Sequence, residues 1–137
     1  MEAKLCTEIE NLLANTRTIA VVGLSPKENR PSNLVARYLL DAGFIVIPVN
    51  PGQTEILGRP CYPDLRAIPT PVDLVDIFRR GEEVGPVVDE AIPMGAKAVW
   101  MQEGIVNEAA AAKARGAGLT VIMDRCIKIE AQRHKVF

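Results

Sequence analysis

The sequence is poor in the residues on which most metal and catalytic sites depend. Its 137 residues include three cysteines and one histidine, His134. Cys6, Cys61 and Cys126 lie far apart and form no Cys-x-x-Cys pair, so neither a structural zinc site nor a disulfide framework is expected. We therefore predict a protein without a metal site, in the reducing environment of the cytoplasm.

Long apolar runs and an excess of positive charge are missing as well. The longest apolar runs have about six residues, whereas a helix that spans a bilayer needs about 20. The first residues include Glu8 and Glu10 and do not form the basic and apolar regions of a secretory signal. The 16 Lys and Arg residues against 17 Asp and Glu residues give a net charge of −1, unlike the basic excess of general nucleic-acid binders. We expect a soluble protein without membrane or nucleic-acid partners.

The sequence does contain enough apolar surface for one hydrophobic core. Apolar residues make up 48% of the chain and charged residues 24%, which is typical of a soluble globular protein. A chain of this size removes roughly two-thirds of its surface from water on folding. We predict a single domain over residues 1–137, with its core at about residues 16–130, an N-terminal helix over 1–15 and a polar tail over 131–137.

Apolar runs alternate with helical patterns along the chain. Continuous apolar runs are typical of strands buried on both faces of a parallel sheet. Pro31 and Asn107 are suited to begin two of the helices, and Pro93 should kink or end a third. The predicted strands are Thr18–Gly23, Phe44–Val49, Val72–Phe78, Ala98–Met101 and Thr120–Met123, and the predicted helices are Lys4–Asn15, Pro31–Ala42, Pro86–Met94 and Asn107–Arg115.

One stretch does not follow this alternation. Pro51–Pro71 contains five of the ten prolines, which predicts an irregular segment with a short helical turn at Asp64–Ala67. The remaining elements predict an α/β fold, a doubly wound and mainly parallel sheet of five strands with helices on both faces.

Ligands of doubly wound sheets bind at the carboxyl ends of the strands, near the point where the strand order reverses. The loops that follow the predicted strands repeatedly carry glycine, asparagine and arginine. We expect their cations to focus a positive potential on one edge of the sheet, and these cations are Lys27, Arg30, Arg79, Arg80 and Arg125. The alternative is a solvated rim whose cations pair with Glu28 and Glu103. Because several loops converge on the same residue types, we favour a ligand site.

The loop after the first strand is the most informative. Gly23 ends the strand, Ser25 follows, and Pro31 opens a helix whose positive end would face an anion such as phosphate. The loop is not a G-x-G-x-x-G motif, because Ser25 stands in place of the second glycine, and it is not a Walker A loop. Taken alone, Gly23 is also compatible with a simple tight turn.

The end of the second strand bears on the choice of ligand. A domain that binds NAD usually has an acidic residue here to accept the ribose hydroxyls, whereas this chain has Asn50 and Pro51. An amide tolerates a ribose with a 3′-phosphate, which favours a phosphorylated adenosine ligand over NAD. The alternative is that Asn50 only begins a turn.

These motifs resemble those of small stand-alone CoA-binding proteins, which are relatives of the N-terminal CoA-binding domain of the succinyl-CoA synthetase alpha subunit. The resemblance covers about residues 18–130 and rests on several motifs in fixed order. They are VVGLSPK at 21–27, RPS at 30–32, IPVNP at 47–51, LGRPCYP at 57–63, PVD at 71–73, VDIFRR at 75–80, GAKAVWMQ at 95–102, GI at 104–105, EA at 108–109 and MDRC at 123–126.

The resemblance implies a Rossmann-like domain that binds coenzyme A or an acyl-CoA. It implies four groups of contact residues: Gly23, Ser25, Lys27 and Arg30 for the phosphates, Asn50 and Pro51 for the adenosine and its 3′-phosphate, Phe78, Arg79 and Arg80 for the nucleotide and diphosphate, and Met101 and Gln102 for the pantetheine path.

No catalytic residue is predicted. His134 lies in a polar tail that offers a general base no second group to hold it. Asp73 and Asp76 lie three apart on a predicted strand, so they should point to opposite faces rather than form a carboxylate pair. Cys126 is interpreted either as a buried apolar residue or as the partner of a mixed disulfide with the CoA thiol.

We therefore expect a non-catalytic binding, carrier or sensor module. Two enzymatic alternatives remain. One is the nucleotide-binding component of an acyl-CoA ligase that works with a partner chain. The other is an NAD(P)-linked oxidoreductase, against which Asn50 argues. Both a homodimer and a partner enzyme are left open by the sequence.

Overall fold

The computed structural model describes residues 2–134, with the side chain of Glu2 excepted. Its strands are β1 (Thr18–Val22), β2 (Ile45–Val49), β3 (Glu55–Ile56), β4 (Arg59–Pro60), β5 (Leu74–Ile77), β6 (Ala98–Met101) and β7 (Thr120–Ile122). Its α-helices are α1 (Glu2–Ala14), α2 (Pro31–Asp41), α3 (Val84–Ala91), α4 (Glu108–Gly116) and α5 (Ile127–His134). Within these residues no helix is both long enough and apolar enough to cross a membrane.

Five strands form one parallel sheet in the order β2-β1-β5-β6-β7. The chain moves from β1 outward to β2 in one direction and from β5 to β7 in the other. The strand order therefore reverses between β1 and β5, which is where ligands bind in sheets of this kind. This architecture confirms the predicted Rossmann-like α/β fold.

The strands are buried because helices cover both faces of the sheet. One apolar cluster joins α1, α2 and α5 to the sheet, with Ile9, Leu39 and Ile127 fully or almost fully buried. The second joins α3 and α4 to the opposite face through Val88 and Ala111. Every residue of β5 and β6 is buried, as expected for strands in the middle of a sheet that is covered on both sides.

The helix boundaries follow the local signals in most places. Asn107 caps α4, because its Oδ1 accepts a hydrogen bond from the N–H of Ala110 at 2.9 Å. The third helix differs from its prediction by beginning earlier: a 3₁₀ turn over Gly81–Glu83 leads into α3. This helix ends at Ala91, just before Pro93, which has no N–H to continue it.

The proline-rich stretch contains a hairpin that the sequence prediction missed. Strands β3 and β4 pair in antiparallel fashion, and Leu57 and Gly58 in the turn both have positive φ, 54° and 74°. Such a turn matches the twist of a short hairpin. Beyond β4, Tyr62 forms a parallel bridge with Val49, so this segment covers part of the outer edge of β2.

The polar segment at the end of the chain is helical from Ile127 through His134, so the first part of the predicted polar tail over 131–137 belongs to a helix. Ile127 and Ala131, four residues apart, are fully buried against the first apolar cluster. This i, i+4 pair supplies an apolar stripe that docks α5 on the sheet. The rest of the predicted tail, residues 135–137, lies outside the described residues.

Candidate functional site

The loops after β1, β2 and β5 meet at the point where the strand order reverses. The N–H of Gly23 donates to the carbonyl of Val49 at 2.9 Å, and the N–H of Phe78 donates to the carbonyl of Val22 at 2.8 Å. Gly23 has a φ of +87°, and a Cβ at this position would lie 2.3 Å from the Phe78 carbonyl oxygen. Glycine is therefore required here by both conformation and close approach.

The loop between β1 and α2 is held by side chains from the first turn of the helix. The N–H of Ser25 donates to Ser32 Oγ at 2.9 Å, and Asn33 Nδ2 donates to the Ser25 carbonyl at 2.8 Å. Ser25 Oγ accepts from the N–H of Lys27 at 3.1 Å. Ser32 and Asn33 are buried, so the bonds that they make are partly shielded from water and fix the loop before any ligand arrives.

Sequence reasoning missed Ser32 and Asn33 as residues of the site. The signal for both was the presence of two small polar residues in the first turn of an amphipathic helix, directly after Pro31, and Ser32 also belongs to the RPS motif at 30–32. Arg37, one turn further on, was also missed. Its Nε donates to Asn33 Oδ1 at 2.9 Å and its Nη2 donates to the Glu28 carbonyl at 2.8 Å, which fixes the second half of the loop.

Asn50 joins the loop after β2 to the loop after β1. Its Nδ2 donates to the Leu24 carbonyl at 2.9 Å, and its Oδ1 accepts from the N–H of Gly52 at 2.9 Å. The second bond is the turn expected under the alternative interpretation of Asn50–Pro51. Asn50 is half-buried and Pro51 is exposed beside it. Their contact with an adenosine remains a prediction.

The five rim cations differ in their pairing. Arg80 pairs with Glu83 at 3.2 Å and Arg125 with Glu130 at 3.7 Å. Across residues 2–134, the cationic groups of the other three have no carboxylate within 4.0 Å, and the expected pairs with Glu28 and Glu103 are not formed. Three positive charges are therefore available at this edge: Lys27, Arg30 and Arg79.

Two cavities open on either side of Arg79. The smaller, about 150 Å³, lies between the ends of β1 and β2 and the start of α3, and its apolar wall includes Val22, Val49 and Val87. The larger is a groove of about 440 Å³ between the loops after β5 and β6. Another groove, of about 780 Å³, lies along α1 at the opposite edge of the sheet and contains none of the residues discussed above.

Residues 17–132 match a family described as a CoA binding domain. The chain belongs to this family. Because the match covers most of the chain, the CoA-binding domain and the α/β fold are one unit.

The relatives of this CoA-binding domain are of two kinds. YneT of Bacillus subtilis (strain 168), described as uncharacterized, is 43% identical over 122 residues, which are 89% of this chain and 90% of YneT. A structure described as a hypothetical protein from Pyrococcus horikoshii OT3 superposes with a TM-score of 0.92 at 41% identity and covers 95% of this chain and 92% of that one. Acetate–CoA ligase [ADP-forming] I of Archaeoglobus fulgidus is 39% identical over 74 residues, which are 54% of this chain but 11% of the ligase.

Met101 and Gln102 are not at the surface of the CoA-binding domain. Met101 is fully buried and Gln102 is 4% exposed. Gln102 Oε1 accepts a hydrogen bond from the N–H of Ile127 at 3.1 Å, so this side chain caps the start of α5. Met101 pairs with Ile77 and the N–H of Gln102 donates to the Ile77 carbonyl at 3.4 Å, so both residues lie at the same edge of the sheet as Phe78 and Arg79, but with buried side chains. Their role beside the pantetheine remains a prediction.

The two aspartates of the PVD and VDIFRR motifs have unlike environments. Asp73 precedes β5, where its Oδ2 accepts from the N–H groups of Arg17 and Thr18 at 2.9 and 3.0 Å. Burial alone would raise the pKa of Asp73, but these bonds and the charge of Lys97 outweigh it and hold the pKa below its ordinary value. Asp76 is fully buried, its carboxyl oxygens have no hydrogen-bond partner, and burial raises its pKa well above the ordinary value.

His134 is packed against neighbours, which corrects the expectation of a polar tail that offers it no second group. Its side chain is 9% exposed and lies 3.7 Å from carboxylate oxygens of Glu10 and Glu130. It lies at the end of α5 that is away from the carboxyl ends of the strands, seven residues or about 10 Å along the helix axis from Ile127.

Proposed function

We propose that the protein binds coenzyme A or an acyl-CoA at the Gly23 edge and acts as a carrier, sensor or partner module without chemistry of its own. The observation that carries this proposal is the close approach of Gly23 to Phe78 beside a prefolded Ser25 loop. A side chain at Gly23 would collide with the Phe78 backbone, so only glycine lets the loops after β1 and β5 meet this closely beside the positive end of α2, where a phosphate would bind.

The charges and shapes at this edge suit the parts of CoA. The diphosphate binds at the Ser25 loop and the positive end of α2, which has no acidic residue in its first turn to oppose an anion. Lys27, Arg30 and Arg79 supply the positive charge that the diphosphate and the 3′-phosphate require. The smaller cavity beside Val49 takes the adenine ring, since cavities of about 150 Å³ accommodate an aromatic ring.

The described residues show no group of side chains arranged for catalysis or for metal binding, and this supports a binding role. In the described part of the chain, no three His, Cys, Asp or Glu side chains are grouped to hold a metal ion. The single histidine is remote from the edge, and both aspartates of the β5 region are used in the fold or enclosed in the core. Cys126 is half-buried at the start of α5, and its mixed disulfide with CoA stays a prediction.

A second candidate function is that of a CoA-binding component in an acyl-CoA ligase whose catalytic parts are on a partner chain. The similarity to an ADP-forming acetate–CoA ligase favours it, because this chain corresponds to about a tenth of that enzyme. An NAD(P)-linked oxidoreductase is less well supported, since Asn50 cannot supply the carboxylate that usually binds the ribose.

Isothermal titration calorimetry with CoA, dephospho-CoA and NAD, in one buffer, tests the proposal. We expect CoA to bind most tightly, because only CoA has a 3′-phosphate that the unpaired cations can neutralise. Equal affinities for CoA and dephospho-CoA would show that the 3′-phosphate does not contribute to binding. Tighter binding of NAD than of CoA would favour the oxidoreductase. Turnover of acetate, ATP and CoA by the isolated chain would contradict a role without chemistry.

A further inference from the structure

Arg37 is a cation of α2 whose side chain reaches the loop after β1. Its Nε donates to Asn33 Oδ1 at 2.9 Å and its Nη2 donates to the Glu28 carbonyl at 2.8 Å. Asn33 in turn donates to the Ser25 carbonyl at 2.8 Å. One guanidinium thus connects two carbonyls of the loop, the second directly and the first through Asn33.

The bond to the Glu28 carbonyl anchors a segment that otherwise depends on its own turns. The N–H of Lys27 donates to Ser25 Oγ at 3.1 Å, and the N–H of Arg30 donates to the Lys27 carbonyl at 3.1 Å. Both bonds lie outside α2, so neither fixes the segment relative to the helix. Strictly between Ser25 and Arg30, the described residues make one hydrogen bond to α2, which is the bond from Arg37. The position of Lys27, one of the three unpaired rim cations, therefore depends on Arg37.

The charge of Arg37 is not neutralised by a carboxylate. The acids nearest to it in the sequence are Asp41, one turn further along α2, and Glu28. Across residues 2–134, no carboxylate lies within 4.0 Å of the Arg37 guanidinium. Arg37 is half-buried, and both of its acceptors are neutral oxygens. Hydrogen bonds from a charged donor are stronger than those between neutral groups, so these two bonds hold the loop firmly.

We propose that Arg37 is a positioning residue of the anion site, which holds the Ser25 loop in the conformation that receives a diphosphate and does not itself contact the ligand. This inference rests on the proposed function. Arginine suits this role because its planar guanidinium presents a rigid fork that reaches two acceptors at once, whereas lysine has a single ammonium on a flexible stem. A loop that is held before the ligand arrives loses less entropy on binding.

Calorimetry with CoA and dephospho-CoA on two variants tests the inference. Arg37→Met keeps the aliphatic stem and loses both hydrogen bonds, and we expect the Kd of both ligands to rise about tenfold. The two losses should be equal, because both ligands contain the diphosphate. Arg37→Lys keeps the charge without the fork and should bind both ligands at least threefold more weakly than the parent does.

The matched control is Arg59→Met. The Nη1 of Arg59 also donates to a backbone carbonyl, that of Leu57, at 2.9 Å, but in the turn of the β3–β4 hairpin. This variant should leave the Kd of both ligands unchanged. Should Arg37→Met fail to fold, Arg37→Lys carries the test, because it retains the stem and the charge.

Hydrogen exchange of the Lys27 N–H, followed by NMR without ligand, separates this inference from the proposed function. Exchange should be at least threefold faster in Arg37→Met than in the parent, because the loop opens more often, and unchanged in Arg59→Met. Unchanged exchange or unchanged affinity in Arg37→Met would overturn the inference, although the proposed function stands.

The pattern of affinities also distinguishes positioning from direct contact. Parent-like binding by Arg37→Lys would overturn the role of the fork, and a loss confined to CoA would mean that Arg37 meets the 3′-phosphate. If the parent binds neither ligand, the proposed function itself fails, and the exchange rates alone decide whether Arg37 holds the loop.

Discussion

Single residues at the binding edge hold backbone in place more often than they face solvent. Ser32, Asn33 and Asn50 are polar, yet the side chain of each forms a hydrogen bond with the backbone of the loop after β1. Under the proposed function, ligand contacts are thereby left mainly to the long cations at the rim and to the positive end of α2. A rigid loop supported in this way is suited to recognise phosphate groups without further rearrangement.

Gly23→Ala tests the close approach on which the site depends. Placing alanine at a positive φ costs about 1–2 kcal/mol, and the clash with the Phe78 carbonyl adds roughly 1–3 kcal/mol. We expect the free energy of unfolding, measured by urea denaturation, to fall by the sum of the two and CoA binding to weaken at least tenfold.

Gly43→Ala is the matched control for this substitution. Gly43 also has a positive φ, +98°, but no atom lies within 4 Å of its missing Cβ. This variant should lose only the smaller, conformational amount and keep its affinity for CoA. Equal losses in the two variants would contradict a steric role for Gly23.

Among the elements, α2 contributes most to the site. Its buried positions include Val35 and Leu39, which pack on the sheet, and Ser32 and Asn33, which reach back to the preceding loop. Pro31 begins the helix without an N–H, and Arg30 before it makes no side-chain cap. The N–H groups of Asn33 and Leu34 donate to the Arg30 carbonyl, so what the helix offers an anion is chiefly the positive end of its dipole.

Ser32→Ala tests the coupling between α2 and the Ser25 loop. Loss of the Oγ acceptor leaves the N–H of Ser25 without a partner, which should lower the free energy of unfolding by about 1 kcal/mol. Because the loop is no longer held, we expect calorimetry to show CoA binding weakened about threefold to tenfold. Thr7→Ala removes a comparable side-chain hydrogen bond within α1 and should leave the Kd of CoA unchanged. Unaltered CoA binding in Ser32→Ala would show that the loop does not depend on this bond.

On the scale of the whole molecule, the sheet encloses the carboxyl group of Asp76, whose oxygens have no hydrogen-bond partner. Asp76 lies in register between Val21 of β1 and Trp100 of β6, on the face covered by α1, α2 and α5. Burial disfavours its charged form. The folded state therefore retains a proton that the unfolded chain releases once the pH exceeds its ordinary pKa of about 3.9.

Asp76→Asn should make the stability of the protein less dependent on pH. Because the folded pKa of Asp76 is raised, the parent protein loses stability as the pH rises above the unfolded pKa, by up to about 1.4 kcal/mol per pH unit. This loss ends once the pH exceeds the folded pKa. Urea denaturation at pH 5 and pH 8 should show that the advantage of Asp76→Asn over the parent grows with pH. An advantage that is the same at both values would mean that Asp76 ionises normally in the folded state.

Local sequence signals predicted the five main strands and the first four α-helices. They did so because buried parallel strands must be apolar throughout and because Pro31 and Asn107 act on the nearest turn. The β3–β4 hairpin was missed, since Pro60 within a two-residue strand hides the pattern that defines longer strands. The docking of α5 was missed because two buried residues on an otherwise polar helix give a weak signal.

The amino-acid sequence by itself determined the doubly wound fold, the membership in a CoA-binding family and the glycine that ends β1. The tertiary structure decided which rim cations remain unpaired, that Met101 and Gln102 are enclosed, and that Ser32 and Asn33 hold the loop. The physical reason lies in the range of the interactions. Strand burial and helix capping act over a few neighbouring residues, whereas ion pairing and enclosure depend on side chains that are far apart in the chain and meet only when the sheet and its helices assemble.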